Sequence, residues 1–253
     1  ATGANYDGYI SFASTIDGPK NLSLYASGAY NSIGLAGAVG STTKINNLTV
    51  NAKTLLTKAS ISTSGWQSYS GDNIDLLGDL ALNSGGDITM NSAINSFYTT
   101  KYSVTLNAGT NAVYVKKAIG NLTPIGWLSV TGSNINLGAD IRTRSAQFYN
   151  GPITLTANTS LNASGGNAWE GYINLQAVNG AYSLSVNTGD WANFFGAVGA
   201  TTPLASLTVT GGPIWIHSNV STTGNQSYTF WRLELITAST LSTTTGNITI
   251  AAE

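Results

Sequence analysis

The chain has few residues able to do covalent chemistry. It has no cysteine and a single histidine, His217. A nucleophile needs a base beside it, and a zinc ion needs further ligands near a lone imidazole. The sequence around His217 supplies neither. In Ile214-Trp215-Ile216-His217 the two isoleucines are expected to point inward, which leaves His217 outside. Carboxylates are the other candidates, because glycosidic hydrolysis takes two carboxyls about 5 to 10 Å apart across a groove. Asp72, Asp75 and Asp79 are close in sequence, and Asp140, Glu170 and Glu234 are scattered. The cluster flanks the alternating segment Ile74-Asp75-Leu76 and reads as solvated turn residues. Gly85-Gly86-Asp87 has the form of one calcium-binding rung, but such rungs recur in every coil and this one does not. The expectation is no catalytic residue, no metal, no cofactor and no enzyme.

Aromatic side chains are the better lead. Trp127 precedes an inward Leu128, and Trp215 lies between inward isoleucines, so both should face outward. Trp191, Trp215 and Trp231 are spaced close to one coil apart and are expected to share a face. Trp169 sits in an apparent insertion. These five tryptophans are candidate contacts for a glycan or a protein partner, since exposed rings stack on sugars and apolar surfaces. Eight Asn-x-Ser/Thr sequons begin at Asn21, Asn47, Asn121, Asn158, Asn162, Asn219, Asn225 and Asn247. Asn, Ser and Thr are so abundant that this number is near chance.

Composition removes several partners. Only 8% of the 253 residues are charged and the formal net charge is −1, against roughly 25% charged in an average soluble domain. Between Asp190 and Arg232 there is no charged residue. Nucleic acid needs a basic face and an anionic membrane surface needs basic clusters, so neither is expected as a partner. No apolar run is long enough to span a bilayer as a helix, so direct membrane insertion is not expected. The first residues, Ala1 to Asp7, lack the pattern of an export signal, which is expected to lie outside this segment.

The elements that must carry these residues are announced by repetition. Gly37-Ala38-Val39-Gly40 returns as Lys117-Ala118-Ile119-Gly120 and Gly196-Ala197-Val198-Gly199. Asn47-Leu48-Thr49-Val50 returns as Trp127-Leu128-Ser129-Val130 and Ser206-Leu207-Thr208-Val209. Gln67-Ser68-Tyr69 returns as Gln147-Phe148-Tyr149 and Gln226-Ser227-Tyr228. Residue numbers step by 80 and then 79 each time. Between Gly, Asn, Ser and Asp breaks, apolar and polar residues alternate, as in Val104-Thr105-Leu106 and Ile153-Thr154-Leu155. Alternation marks strands with one buried face, and no helical stripe appears. The pattern predicts an all-β, right-handed parallel β-helix of about 12 coils of roughly 20 residues, four coils to each long repeat. It is read as one solenoid over 1–253, with superrepeats at approximately 8–86, 87–171 and 172–246 and the start of a fourth. Segments 96–100 and 167–171 are expected as loops leaving the rod. An ice-binding face would need Thr on consecutive coils. Thr49, Ser129 and Thr208 are expected to recur on only every fourth coil, which argues against one.

Three phrases carry a family resemblance: Phe195-Gly-Ala-Val-Gly-Ala-Thr-Thr-Pro-Leu-Ala-Ser-Leu-Thr-Val-Thr-Gly-Gly212, Asn219-Val-Ser-Thr-Thr-Gly-Asn-Gln-Ser-Tyr228 and Gly246-Asn-Ile-Thr-Ile250. They resemble the β-strand repeats of filamentous-haemagglutinin-type adhesins and autotransporter passengers. The resemblance implies a right-handed parallel β-helix, export across an outer membrane and display on a bacterial cell surface. The expected function is a non-catalytic stalk or fibre of a secreted surface adhesin or extracellular filament. Its expected partners are itself or a glycan or protein on a host or neighbouring cell. The alternative is a carbohydrate-binding, less readily carbohydrate-cleaving, β-helix module using the exposed tryptophans.

Overall fold

The computed structural model describes residues 8–26, 28, 31–97, 101–164 and 170–252. Among these there is no helix; the chain winds as a β-solenoid in which every named strand pairing is parallel. Alternation explains the choice. A strand such as Ile88–Ser96 can bury every second residue only if something covers that side, and here the other faces of the same coil do so. The buried residues form one continuous cluster from Leu24 to Phe230, made mostly of Ile, Leu and Val. These branched side chains suit a pleated, packed surface.

Three faces surround this core. On the first, the inward column runs from Ile10 through Ile33, Leu55, Ile74, Ile94, Ile119, Ile141, Leu161, Val186, Val209 and Tyr228 to Ile250. Twelve levels from Ile10 to Ile250 are joined by eleven turns, in keeping with the expected stack of about 12 coils. At an interstrand spacing of about 4.8 Å, eleven turns rise about 53 Å. The second face carries Ile61, Leu82, Leu106, Val130 and Tyr149. The third carries Leu22, Leu48, Gln67, Ile88, Val113 and onward to Leu241.

The long repeat does not equal four coils. From Leu48 on the third face the column is met again at Gln67, Ile88 and Val113. The chain then crosses the first face at Ile119 and reaches Leu128 on the second. From Leu128 it returns at Gln147, Ile173 and Ala192, crosses the third face at Val198, and reaches Leu207 on the first. Each copy therefore advances three and two-thirds turns and lands on a different face. Thr49, Ser129 and Thr208, expected one above another, face three directions.

Two devices recur in all three copies. At Gly40, Gly120 and Gly199 the backbone takes φ of 68°, 76° and 73°. A Cβ there would lie 2.0 to 2.1 Å from the carbonyl oxygen of Ser62, Arg142 or Ser221 one turn on. Only glycine fits both the left-handed conformation and the contact. The second device is polar and buried. Tyr69 donates its hydroxyl proton to Gln67 Oε1 at 2.9 Å. Gln67 Nε2 donates to Thr63 Oγ1 at 3.1 Å and to the Asn83 carbonyl, one turn on, at 2.9 Å. Thr63 Oγ1 donates to the Gly65 carbonyl at 2.7 Å. The same circuit joins Tyr149, Gln147, Thr143 and the Asn162 carbonyl, and again Tyr228, Gln226, Thr222 and the Ser242 carbonyl. Each of these Tyr, Gln and Thr residues is at most 1% exposed, so each hydrogen bond avoids the cost of a buried unpaired group.

Replacing Tyr149 with Phe leaves Gln147 Oε1 without its donor. We expect a loss of about 1–3 kcal/mol, read as a lower urea midpoint with unchanged m-value. Burial pushes all three phenols above their ordinary pKa. A raised folded-state value means their contribution is intact below the unfolded value of about 10 and is lost as pH rises toward the folded value. Thermal melts across pH 9 to 12 should show destabilisation beginning near pH 10, absent in a variant with all three tyrosines replaced by Phe.

Candidate functional site

The acidic residues are used at corners rather than gathered in a groove. Asp79 accepts a hydrogen bond from the Ser103 amide at 2.8 Å, Asp87 from Ala112 at 2.9 Å and Asp140 from Ser160 at 2.8 Å. In each case the donor lies one turn further along. Asp17 accepts from both Thr42 and Thr43, and these backbone bonds hold its carboxyl below the usual carboxylate range. Asn95 and Asn179 perform the same double contact at the equivalent corners. Asp72 and Asp75 lie on the strand Gln67–Leu76, whereas Asp79 lies beyond the next corner. Asp75 faces outward between Leu56 and Asn95 in register, and burial raises its carboxyl pKa. Glu234 pairs with Arg232. Asp17, Asp79, Asp87 and Asp140 are thus each engaged by amides of the next turn, and Glu234 by Arg232. The asparagines that start four sequons serve as corner acceptors as well: Asn47 for Trp66, Asn158 for Ser183, Asn219 for Thr240 and Asn225 for Asn247.

The aromatics do assemble. The second face presents adjacent outward columns on parallel strands. Asn174 pairs with Asn193 and Asn193 with Trp215 in one, and Tyr172 and Trp191 precede those strands in the next. The Phe148 and Tyr172 rings meet edge to face at 5.4 Å. Tyr172 stacks on Trp191 at 4.6 Å with 15° between planes. Trp191 reaches Trp215 at 5.9 Å, tilted by 46°. Four consecutive turns therefore share one continuous aromatic strip. Beside it, Phe195 and His217 pack at 5.0 Å, and Asn193 Nδ2 donates to Asn174 Oδ1 at 2.9 Å.

Of the tryptophans expected outside, Trp191 and Trp215 meet in this strip. Trp127 lies on the same face and is exposed, but the turn bearing buried Ala146 separates it from Tyr172. Trp231 does not join the stack. It precedes Arg232, which pairs with Pro213, and so lies at the corner, with its indole nitrogen over Gly212. Trp169 falls outside the described residues, as do most of the segments expected to loop out at 96–100 and 167–171. Phe148 and Tyr172 were not among the expected contacts. Tyr172 holds the place before an inward residue that Trp127 and Trp191 also hold. Successive turns on this face are unequal, a short one from Leu128 to Gln147 and a longer one from Gln147 to Ile173, so regular spacing cannot find it.

Two further findings bear on the site. Asp190, next to Trp191, is 7% exposed and its Oδ2 has no hydrogen-bond partner; burial raises its carboxyl pKa. On the first face, Ser160, Ser185, Thr208, Ser227 and Thr249 form a hydroxyl column on consecutive turns. The expectation that such residues recur only every fourth coil is thus corrected. The column is largely serine, without the regular methyl groups of a threonine ladder. Among the described residues no three His, Asp or Glu converge as metal ligands. Searches against protein-family models, curated proteins and solved structures give no match for this chain.

Asp17 supplies a direct test of the corner role. A depressed folded-state value means its contribution is present above the unfolded value of about 3.9 and is lost as pH falls through the folded one. Asp17→Asn keeps an acceptor oxygen and removes the titration. Melts from pH 6 down to pH 2 should show a shallower loss of stability for the variant than for the wild type, with the wild type the more stable near neutral pH and the two converging at the acid end.

Proposed function

We propose that the chain is a rigid, non-catalytic segment of a secreted bacterial surface protein, a stalk or fibre of the filamentous-haemagglutinin type that displays or forms an adhesin. The observation that carries this reading is the eleven-turn ladder built around one unbroken core. Each turn contacts only its neighbours, so the architecture adds length without adding new kinds of contact. The repeated phrases that resemble adhesin repeats are the same residues that build this ladder. Many of the polar groups are committed to the scaffold. The corner Asp and Asn bind the next turn, and the buried Gln–Tyr–Thr circuits tie one turn to another.

Such a segment works mechanically. A proteolytic cut needs local opening, and a strand inside the ladder opens only by breaking its pairing on both sides. With 8% charged residues, little of the stability depends on pairs that salt screens. The partners that suit this role are further copies of the rod, or a glycan or protein on a host or neighbouring cell, met outside the cell. Antibodies raised against the purified segment test the location. They should label intact, unpermeabilised cells of the source organism, and protease added outside should remove the label. Labelling seen only after permeabilisation overturns the reading.

A further inference from the structure

The aromatic strip on the second face asks for an occupant. Rings from Tyr172, Trp191 and Trp215 are half-buried on three consecutive turns. Trp215 lies within a strand, and Tyr172 and Trp191 each stand one residue before one, their carbonyls accepting bonds from the Gln147 and Ile173 amides of the turn before. Side chains fixed in this way lose little further freedom on binding. Amides flank the rings: half-buried Asn174 is held from below by buried Asn193, which pairs with Trp215 in register, and exposed Gln176 lies beyond inward Leu175. Each amide carries both donors and an acceptor, more than the single Asn193–Asn174 bond uses.

Charge and size narrow the ligand. No charged residue lies between Trp191 and Trp231, and on the next turn Arg232 and Glu234 neutralise one another. An anionic chain would find no cation between Trp191 and Trp231 and would meet Asp190, whose Oδ2 is unpaired, beside Trp191. The strip spans four turns and about three outward columns, roughly 19 Å by 14 Å at standard strand spacings, on the order of 270 Å². That is well below the about 800 Å² per partner of a stable protein interface. A narrow ligand with apolar faces and a polar rim matches both the rings and the amides, and a chain of neutral sugars has that form.

We propose that Tyr172, Trp191 and Trp215, with Asn174 and Gln176, form a binding platform for a neutral polysaccharide running along the rod. Sugar rings stack on the aromatics, and hydroxyls bond to the amides. This names the ligand class for the surface reading above and rests on it for biological context, while binding itself is measured on the isolated segment and is independent of where the protein is displayed.

The test is titration of the purified chain with neutral oligosaccharides (β-glucans, mannans, galactans, chitin oligomers) and with sulfated and uronic-acid oligosaccharides. Tryptophan fluorescence and a glycan array supply the readouts. At least one neutral class should bind, with affinity unchanged between 50 and 500 mM NaCl. Trp191→Ala and Trp215→Ala should each weaken it at least tenfold, Trp215→Phe should weaken it less, and Trp66→Ala, on another face, should leave it unchanged. Melting curves and circular dichroism of each variant establish that the fold is retained; Trp215→Phe keeps the comparison valid if an alanine variant does not fold. The proposal is overturned if no neutral oligosaccharide binds at millimolar concentration, or if binding survives both alanine variants. Binding confined to acidic glycans and lost in salt also overturns it. So does sedimentation showing that the same substitutions instead abolish self-association, which would assign the strip to contacts between copies. A failure of cell labelling with intact glycan binding would overturn only the surface role.

Discussion

Everything in this rod depends on the register between one turn and the next. A parallel strand pair tolerates slippage by two residues with no change in which side chains face the core, and a core of Ile, Leu and Val does little to forbid it. The Gln–Tyr–Thr circuits do forbid it. Gln147 Nε2 must find both Thr143 Oγ1 on its own turn and the Asn162 carbonyl on the next. A shift by two residues would break the bond from buried Gln147 Nε2 to the Asn162 carbonyl, while the Tyr149 and Thr143 bonds stay within their own turn. The positive-φ glycines act in the same sense, because each is pressed against one carbonyl of the following turn.

The corner residues extend this logic to the outside. Where strands end, backbone amides lose their ladder partners and must be satisfied in another way. Asp and Asn side chains from the turn before supply the acceptors, as Asp140 does for Ser160 and Asn219 for Thr240. This accounts for a composition rich in Asn and for acidic residues that look clustered but do not converge. It also explains why Asp17 and Asn95 can hold the same position: the corner needs an oxygen, not a charge.

Much of the fold was legible because it is local. Period-two alternation in segments such as Leu128-Ser129-Val130 names inward and outward residues without knowledge of the rest, and the outward placement of Trp127 and Trp215 followed from it. What was not legible is where successive strands stand relative to one another. That depends on the length of every corner, and neighbouring turns on a single face can be as unequal as Leu128 to Gln147 and Gln147 to Ile173. Hence coil spacing brings Trp191 and Trp215 together, wrongly adds Trp231, and gives no sign of Tyr172. The buried circuit had a signal: Thr, Gln and Tyr keep the same spacing in Thr63/Gln67/Tyr69 and in both later copies. Polar residues are ordinarily assigned outside, and that habit hides it.

The third-of-a-turn offset between copies acts like a vernier. A side chain placed once per long repeat appears on the rod as a steep screw, stepping by a third of the circumference and by about 18 Å along the axis. Something that runs straight along one face meets the same side chain again only after three copies, about 53 Å later. In between it passes two copies' worth of different surface. Three stretches that share the same phrases in the same order therefore build three dissimilar faces, and one of these faces gathers an aromatic strip that the others do not have to reproduce.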